Sequence, residues 1–221
     1  MRLYFLRHGK TKWNLESRYQ GAGGDSPLLA TSYDEIEQAA AYLDQVPFRH
    51  VFSSPIKRAF DTALGVMSRF DQNPMPGLTL LSQLEEFHLG QLEGMTFSEA
   101  KRQFPAQFNA FRNAPDEYEP GVIGGESFPE LIKRMTPAIQ TIVQSFSAPH
   151  DNVLVVSHGA ALNAEINALL GIPLAHLRDR GGLSNTSTTV LETLDAGQSF
   201  RLIDWNNTSY LTGPRDQTDT I

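Results

Sequence analysis

The 221-residue chain contains no cysteine. That excludes a disulfide framework, a thiolate metal site and a thiol nucleophile, and it suits a reducing compartment. The chain also lacks the basic footprint that non-specific nucleic-acid binding needs. Its 18 Lys and Arg stand against 25 Asp and Glu, for a net charge of −7. No apolar run approaches membrane-spanning length, and the first residues show no basic segment followed by an apolar stretch. These absences predict a cytoplasmic protein that engages neither nucleic acid nor membrane. The acidic balance favours solubility, and it makes any local cluster of cations informative, because the average composition does not supply one.

What is present is globular: 40% of residues are hydrophobic and 19% charged. The length fits one domain, residues 1 to 221, with a cap-like insertion at about 85 to 130 over one end of a sheet. Residues 2 to 6 read as a buried strand, followed by a long polar, glycine-rich stretch of the kind that often carries function. Apolar spacing predicts a helix from about Ser32 to Leu43, with Ser32 or Asp34 near its cap. "HVFSS" (50 to 54) reads as a strand, and Pro55 opens a further helix. "GLTLLSQL" (77 to 84) reads as a strand and residues 85 to 94 as a loop. Residues 96 to 113 read as a helix broken at Pro105, and 113 to 125 as a loop rich in Pro and Gly. A long amphipathic helix spans 126 to 146, "NVLVVS" (152 to 157) is the clearest buried strand, and a helix then runs to Gly171. Residues 186 to 194 and 200 to 205 read as a final strand pair, and the polar segment after them as a loose or docking tail. Strands alternating with helices predict a three-layer α/β/α sandwich around a mixed, mostly parallel sheet.

Four chemical features fall at strand ends. Arg7-His8-Gly9 follows the first strand, and Ser157-His158-Gly159 follows "NVLVV" and opens a helix. Arg58 lies one turn into the helix after "VFSSP", and Glu86 in the irregular loop after "LTLLSQL". Ligands in parallel α/β sheets bind at the carboxyl ends of strands. Arginine forks suit phosphate oxygens, and the helix opened by Gly159 aims N–H groups at an anion. Neighbouring cations keep a histidine neutral and nucleophilic, and a carboxyl in a partly apolar loop can be held protonated as a general acid.

The segments "LRHGKTKWN", "SRYQG…DSPL", "VFSSPIKRAFDTA", "LEEFHLGQLEG", "GGESF" and "VLVVSHGAAL" occur in this order from residue 1 to about 194. In these the chain resembles branch one of the histidine phosphatase superfamily, which contains the cofactor-dependent phosphoglycerate mutases. The resemblance implies phosphoryl transfer to His8 as nucleophile. It implies a phosphate pocket of Arg7, Arg58 and His158, in which the arginines and His158 supply the positive charge and no metal or other cofactor is needed. Asn14 and the backbone of Gly159 add hydrogen bonds, and Gln20 and Gly21 lie in the loop that faces the substrate in relatives. Glu86 aligns with the proton donor, neighbouring Glu85 being the competing assignment; the distance to Gly90 favours Glu86. His50, His88, His150 and His176 are background.

Two departures stand out. Lys10 follows Arg7-His8-Gly9 where many relatives carry an acid, which adds a cation at the pocket mouth. "PLLATSYDEIEQA" is about three residues longer than the usual segment and lacks its glycine. Mutases of the family usually carry a longer insertion, so the compact "FNAFRNAPDEYEP…GGESF" stretch favours a phosphatase acting on a small phosphorylated metabolite over a mutase. The aromatic residues of that stretch either pack the insertion onto the sheet or line the substrate pocket. A third reading is a non-catalytic phospho-ligand binding protein; the joint presence of His8, Arg58, Glu86 and His158 argues against it.

Overall fold

The computed structural model describes residues 1–146 and 148–220. Its elements run β1 (Arg2–Arg7), α1 (Lys12–Leu15), α2 (Ala30–Leu43), β2 (Phe48–Ser53), α3 (Lys57–Met67), β3 (Gly77–Leu80), α4 (Phe97–Gln103), α5 (Pro105–Asn113), α6 (Phe128–Ser145), β4 (Asn152–Ser157), α7 (Gly159–Leu169), β5 (Thr188–Glu192) and β6 (Arg201–Asn207). The six strands form one sheet in the order β3-β2-β4-β1-β5-β6. The pairs β3–β2, β2–β4 and β4–β1 are parallel, and β5 runs antiparallel to both β1 and β6.

Side-chain alternation explains the layers. Along β1, Leu3 and Phe5 join one core while Tyr4 and Leu6 join the other; along β4, Val153 and Val155 part from Leu154 and Val156 in the same way. Strands buried on both faces therefore read as continuous apolar runs. The core with Tyr4 and Leu6 is closed by Ile36, Ala40 and Leu43 of α2 and Ala59, Ala63 and Val66 of α3. The opposite core is closed by α6, α7 and the segment between β3 and α6. The result is the expected three-layer α/β/α arrangement, with β4 and β1 at the centre of the six-stranded sheet.

Several boundaries differ from the sequence reading for local reasons. α2 starts at Ala30, with Leu29 at its cap position and no side-chain cap bond. Ser32 is inside the helix, buried, and donates to the Lys10 carbonyl at 2.6 Å, so it anchors the loop after β1 rather than capping α2. β3 ends at Leu80, and the chain turns through Ser82–Leu84. α3 begins at Lys57, after Pro55 and Ile56. The break at Pro105 separates α4 from α5, and Ser127 with Glu130 forms a capping box on α6. Among the described residues, no helix is long and apolar enough to cross a membrane.

The aromatic residues of the insertion pack rather than line a pocket. Phe111 is 1% exposed. Its ring lies 5.2 Å from Phe87, 5.2 Å from Tyr118 and 5.6 Å from Phe128. Phe87 and Phe128 belong to the same core as Phe5 and Val155, so this cluster fastens the insertion to the sheet. Phe111→Ala is expected to cost about 3–5 kcal/mol, as large aromatic truncations in packed cores do. Urea unfolding followed by circular dichroism measures it, and a loss below ~1 kcal/mol would contradict this packing role.

Candidate active site

β1, β2 and β4 end side by side, and their next residues converge. His8 is 3% exposed, and its backbone is held on three sides. Its N–H donates to the Ser157 carbonyl at 3.0 Å, and its carbonyl accepts from Thr186 N at 3.3 Å and Asn185 Nδ2 at 3.1 Å. Its ring Nδ1 lies 2.8 Å from the Gly9 carbonyl, which can only accept, so the proton sits on Nδ1. Nε2 then carries the lone pair, and Arg58 Nε donates to it at 3.3 Å. Burial, then the charges of Arg58 and Arg7, push the His8 imidazole well below its usual range. The nucleophile implied by the sequence is neutral, with a defined tautomer.

Arg7 is 0% exposed. Its Nη1 donates to the carbonyls of Leu183 and of Asp219, the latter at 2.7 Å. Its Nε and Nη2 are buried and have no partner among the described residues. This free edge of the guanidinium offers two parallel N–H groups, the geometry that grips a phosphate with two bonds. Gly159 makes the position possible: a Cβ there would lie 2.8 Å from Arg7 Nε and 3.0 Å from Cζ. The guanidinium therefore lies against the first residue of α7, where the helix presents its own N–H groups.

His158 is the cap residue of α7. Its Nε2 lies 2.8 Å from Ser54 Oγ, and its ring is 5.2 Å from that of His8. Nδ1 is buried without a partner among the described residues. If the Ser54 hydroxyl donates to Nε2, the proton sits on Nδ1, which is then a buried donor with no partner among the described residues. Burial, then Arg58, His8 and Arg7, push His158 well below the usual imidazole range. Burial first, and the neighbouring arginines second, disfavour the positive charge that the resemblance implied for His158.

Arg58 is turned differently from Arg7. Nη1 donates to the Gly24 carbonyl at 2.8 Å and to Asp25 Oδ1 at 3.1 Å, and Nη2 donates to the Gly21 carbonyl at 2.8 Å. The loop after α1 thus wraps the far end of Arg58, and only Nε faces His8. Thr62, one turn further along α3, accepts from Gly9 N at 3.0 Å and donates to the Arg58 carbonyl at 2.7 Å.

Glu86 is buried, and its carboxylate accepts from Ala161 N at 2.8 Å, Phe87 N at 2.9 Å and Ala160 N at 3.1 Å. Two of these donors belong to the first turn of α7. The expected apolar setting is absent; Glu86 faces backbone donors, beside the same helix start that Arg7 covers. Arg134 fixes the loop, donating to the Glu86 carbonyl at 2.9 Å and to Glu126 Oε1 at 2.6 Å. Glu85 is half-buried and caps the short turn before Glu86.

The flanking residues divide. Asn14 is buried, and its Oδ1 accepts from Thr11 N and Thr11 Oγ1, both at 3.0 Å, which turns its NH2 group away from that turn. Gln20 spends both ends inside its own loop: Nε2 donates to Thr11 Oγ1 at 2.9 Å, and Oε1 accepts from Ser26 Oγ at 3.1 Å. Gly21, at φ +62, presents its carbonyl to Arg58, and a Cβ there would lie 2.2 Å from Glu93 Oε1. Gln20 and Gly21, expected in the loop that faces the substrate, also shape the loop that holds Arg58. Lys10 is not a free cation at the pocket mouth. Its Nζ lies 2.9 Å from Asp219 and 3.1 Å from Asp216, in the tail. Sequence reasoning missed Ser54, Thr62, Arg134 and Asp219. Only Ser54 and Thr62 had a signal, inside "VFSSPIKRAFDTA".

Two buried neutral imidazoles set a pH dependence. A base whose folded value is lowered stays unprotonated in the native state while the unfolded chain binds a proton. Stability therefore falls as pH drops through the unfolded imidazole value near ~6.5, by up to about 1.4 kcal/mol per pH unit for each group. His8→Asn removes one such group, so its stability should fall less steeply than the wild type's between about pH 7 and 5. Parallel slopes in chemical denaturation would rule out a neutral His8.

Comparison with known proteins gives the chain's family. The family model described as histidine phosphatase superfamily (branch 1) matches residues 3–208. The chain is 32% identical over 217 residues to glucosyl-3-phosphoglycerate phosphatase of Mycobacterium tuberculosis, covering 92% of this chain and 91% of that one. It is 29% identical over 217 residues to metal-independent phosphoserine phosphatase of Arabidopsis thaliana, covering 95% and 83%. Among solved structures, Bacillus stearothermophilus YhfR superposes with a TM-score of 0.85 at 32% identity, over 95% of this chain and 98% of that one. With a family model spanning nearly its whole length, the chain belongs to branch 1 of the histidine phosphatase superfamily.

Proposed function

We propose that this protein is a phosphomonoester phosphatase that carries the phosphoryl group on His8 Nε2 and hands it to water. The observation that carries the reading is the pairing of a lone-pair Nε2 with the Nε and Nη2 edge of buried Arg7, which has no partner among the described residues. A phosphate in that slot meets a nucleophile on one side and two N–H donors on another. His158 Nδ1 and the start of α7 add donors around the equatorial oxygens, which gain charge as the group transfers.

The reaction has two halves. His8 Nε2 attacks phosphorus, the N–P bond forms and the P–O bond to the leaving alcohol breaks. Glu86, beside the helix start that Arg7 covers, is the group assigned to pass a proton to the leaving oxygen. A water then attacks the phosphohistidine, Glu86 takes its proton, and His8 leaves with its lone pair restored. Splitting the transfer in this way replaces one difficult step by two easier ones. The substrate class is a small phosphorylated metabolite. Phosphoserine and glucosyl-3-phosphoglycerate, named for two relatives, belong in the first panel to be tried.

His8→Ala is expected to lower hydrolysis of para-nitrophenyl phosphate on the order of 10³-fold or more. Hydrolysis at the wild-type rate would defeat the proposal. Glu86→Gln is expected to lower turnover of alkyl phosphates by about 10²–10⁴-fold. It should lower turnover of para-nitrophenyl phosphate much less, since that leaving group departs without a proton. Equal losses on both substrates would remove Glu86 from the acid role. A mutase assay on phosphoglycerates, run alongside, distinguishes return of the phosphoryl group to substrate from transfer to water.

A further inference from the structure

The C-terminal segment after β6 returns to the end of β1 and closes on it through one residue. The Asp219 carbonyl accepts from Arg7 Nη1 at 2.7 Å and from Asn185 N at 2.8 Å. Its carboxylate meets Lys10 Nζ at 2.9 Å and accepts from Asp216 N at 2.6 Å. Asp216 in turn takes Lys10 Nζ at 3.1 Å on each oxygen. Asp219 is 4% exposed and the Lys10 side chain 11%, so this ion pair is shielded from water and salt far more than a surface pair. Lys10 lies three residues beyond Arg7, on the same loop as His8. The clasp thus ties the tail to the segment that carries both Arg7 and His8.

Nothing else described by the structure holds the Nη1 end of Arg7 except Asp219 and the Leu183 carbonyl. With Nη1 taken by two carbonyls, the guanidinium plane is set, and its other edge, Nε and Nη2, is left toward the pocket beside Gly159. An arginine whose fork is fixed in advance loses less freedom when it grips an anion. We propose that Asp219, held by Lys10, is a positioning residue for phosphate binding: its backbone carbonyl aims Arg7, and the Lys10 ion pair keeps that carbonyl in place. Lys10 and the tail acids are therefore one device, acting on the anion through Arg7 and not by contact with it.

The inference rests on the reading of Arg7 as a phosphate ligand, and its test separates the two. Inhibition constants for orthovanadate and inorganic phosphate are measured by competition against para-nitrophenyl phosphate, with circular dichroism confirming that each variant is folded. Lys10→Met and Asp219→Asn are expected to weaken both anions about tenfold, the scale of one lost charge-assisted bond. Lys10→Arg, which keeps the ion pair, should restore most of the affinity. The loss should appear in KM and the inhibition constants more than in kcat. In an Arg7→Lys background, adding Lys10→Met should cost less than threefold further, because the group that the clasp aims is already gone. A merely structural role would show the full loss in both backgrounds, and that outcome overturns the proposal. Anion affinity unchanged in Lys10→Met and Asp219→Asn also overturns it, while a loss in Arg7→Lys alone would leave the phosphate reading standing. Unchanged affinity in Arg7→Lys as well would sink the phosphate reading itself. Should the tail variants unfold, a chain ending at Gly213 and assayed with the same anions gives the second route, with the same tenfold weakening expected.

Discussion

A fully buried arginine with two unpartnered nitrogens is the constraint on which the rest of this structure depends. Removing a guanidinium from water costs several kcal/mol unless charge and hydrogen bonds compensate. Among the described residues Arg7 is hydrogen-bonded at one end, by the Leu183 and Asp219 carbonyls, and the charges of Glu86 and Asp219 favour its charged form. The other edge, Nε and Nη2, has no partner among the described residues and suits an anion. Its presence beside a neutral His8 is what supports reading the strand end as a phosphate site rather than a place where the chain turns. The same burial also keeps His8 and His158 unprotonated, so one physical cause produces both the anion slot and the nucleophile beside it.

The fold supplies what that arrangement needs. Parallel β2, β4 and β1 end in register, so residues far apart in sequence meet without long loops. Gly159 lets Arg7 lie on the start of α7, and the same first turn holds Glu86 through Ala160 and Ala161. Cation, acid and helix N-terminus are therefore placed by one helix start. The insertion, fastened by Phe87, Phe111 and Phe128, holds the Glu86 loop against it, with Arg134 as the polar tie.

Much of this was legible in the sequence. Arg7, His8, His158 and Gly159 announced themselves because charge at the end of an apolar strand is locally anomalous. Arg58 and Glu86 were legible by their order and spacing. Lys10 was misread because it belongs to a polar loop whose partners come from elsewhere in the chain. Nothing near Lys10 says that acids more than 200 residues away will take its charge. The tail read as loose or docking because its composition is polar; its use lies in the backbone carbonyl of Asp219, which no side-chain pattern reveals. Likewise His158 read as a positive group because burial, which keeps it neutral, is a property of the fold.

The central claim is that His8 Nε2 takes the phosphoryl group. The most direct measurement is to quench the enzyme during turnover, keep it at alkaline pH, and correlate phosphorus with the imidazole protons by NMR while mass spectrometry locates the modified peptide. The account predicts one phosphoryl group, on His8, bonded to Nε2. A phosphoryl group on Nδ1 or on another residue would contradict it, as would turnover with no phosphoenzyme under conditions where hydrolysis of the intermediate is slowed.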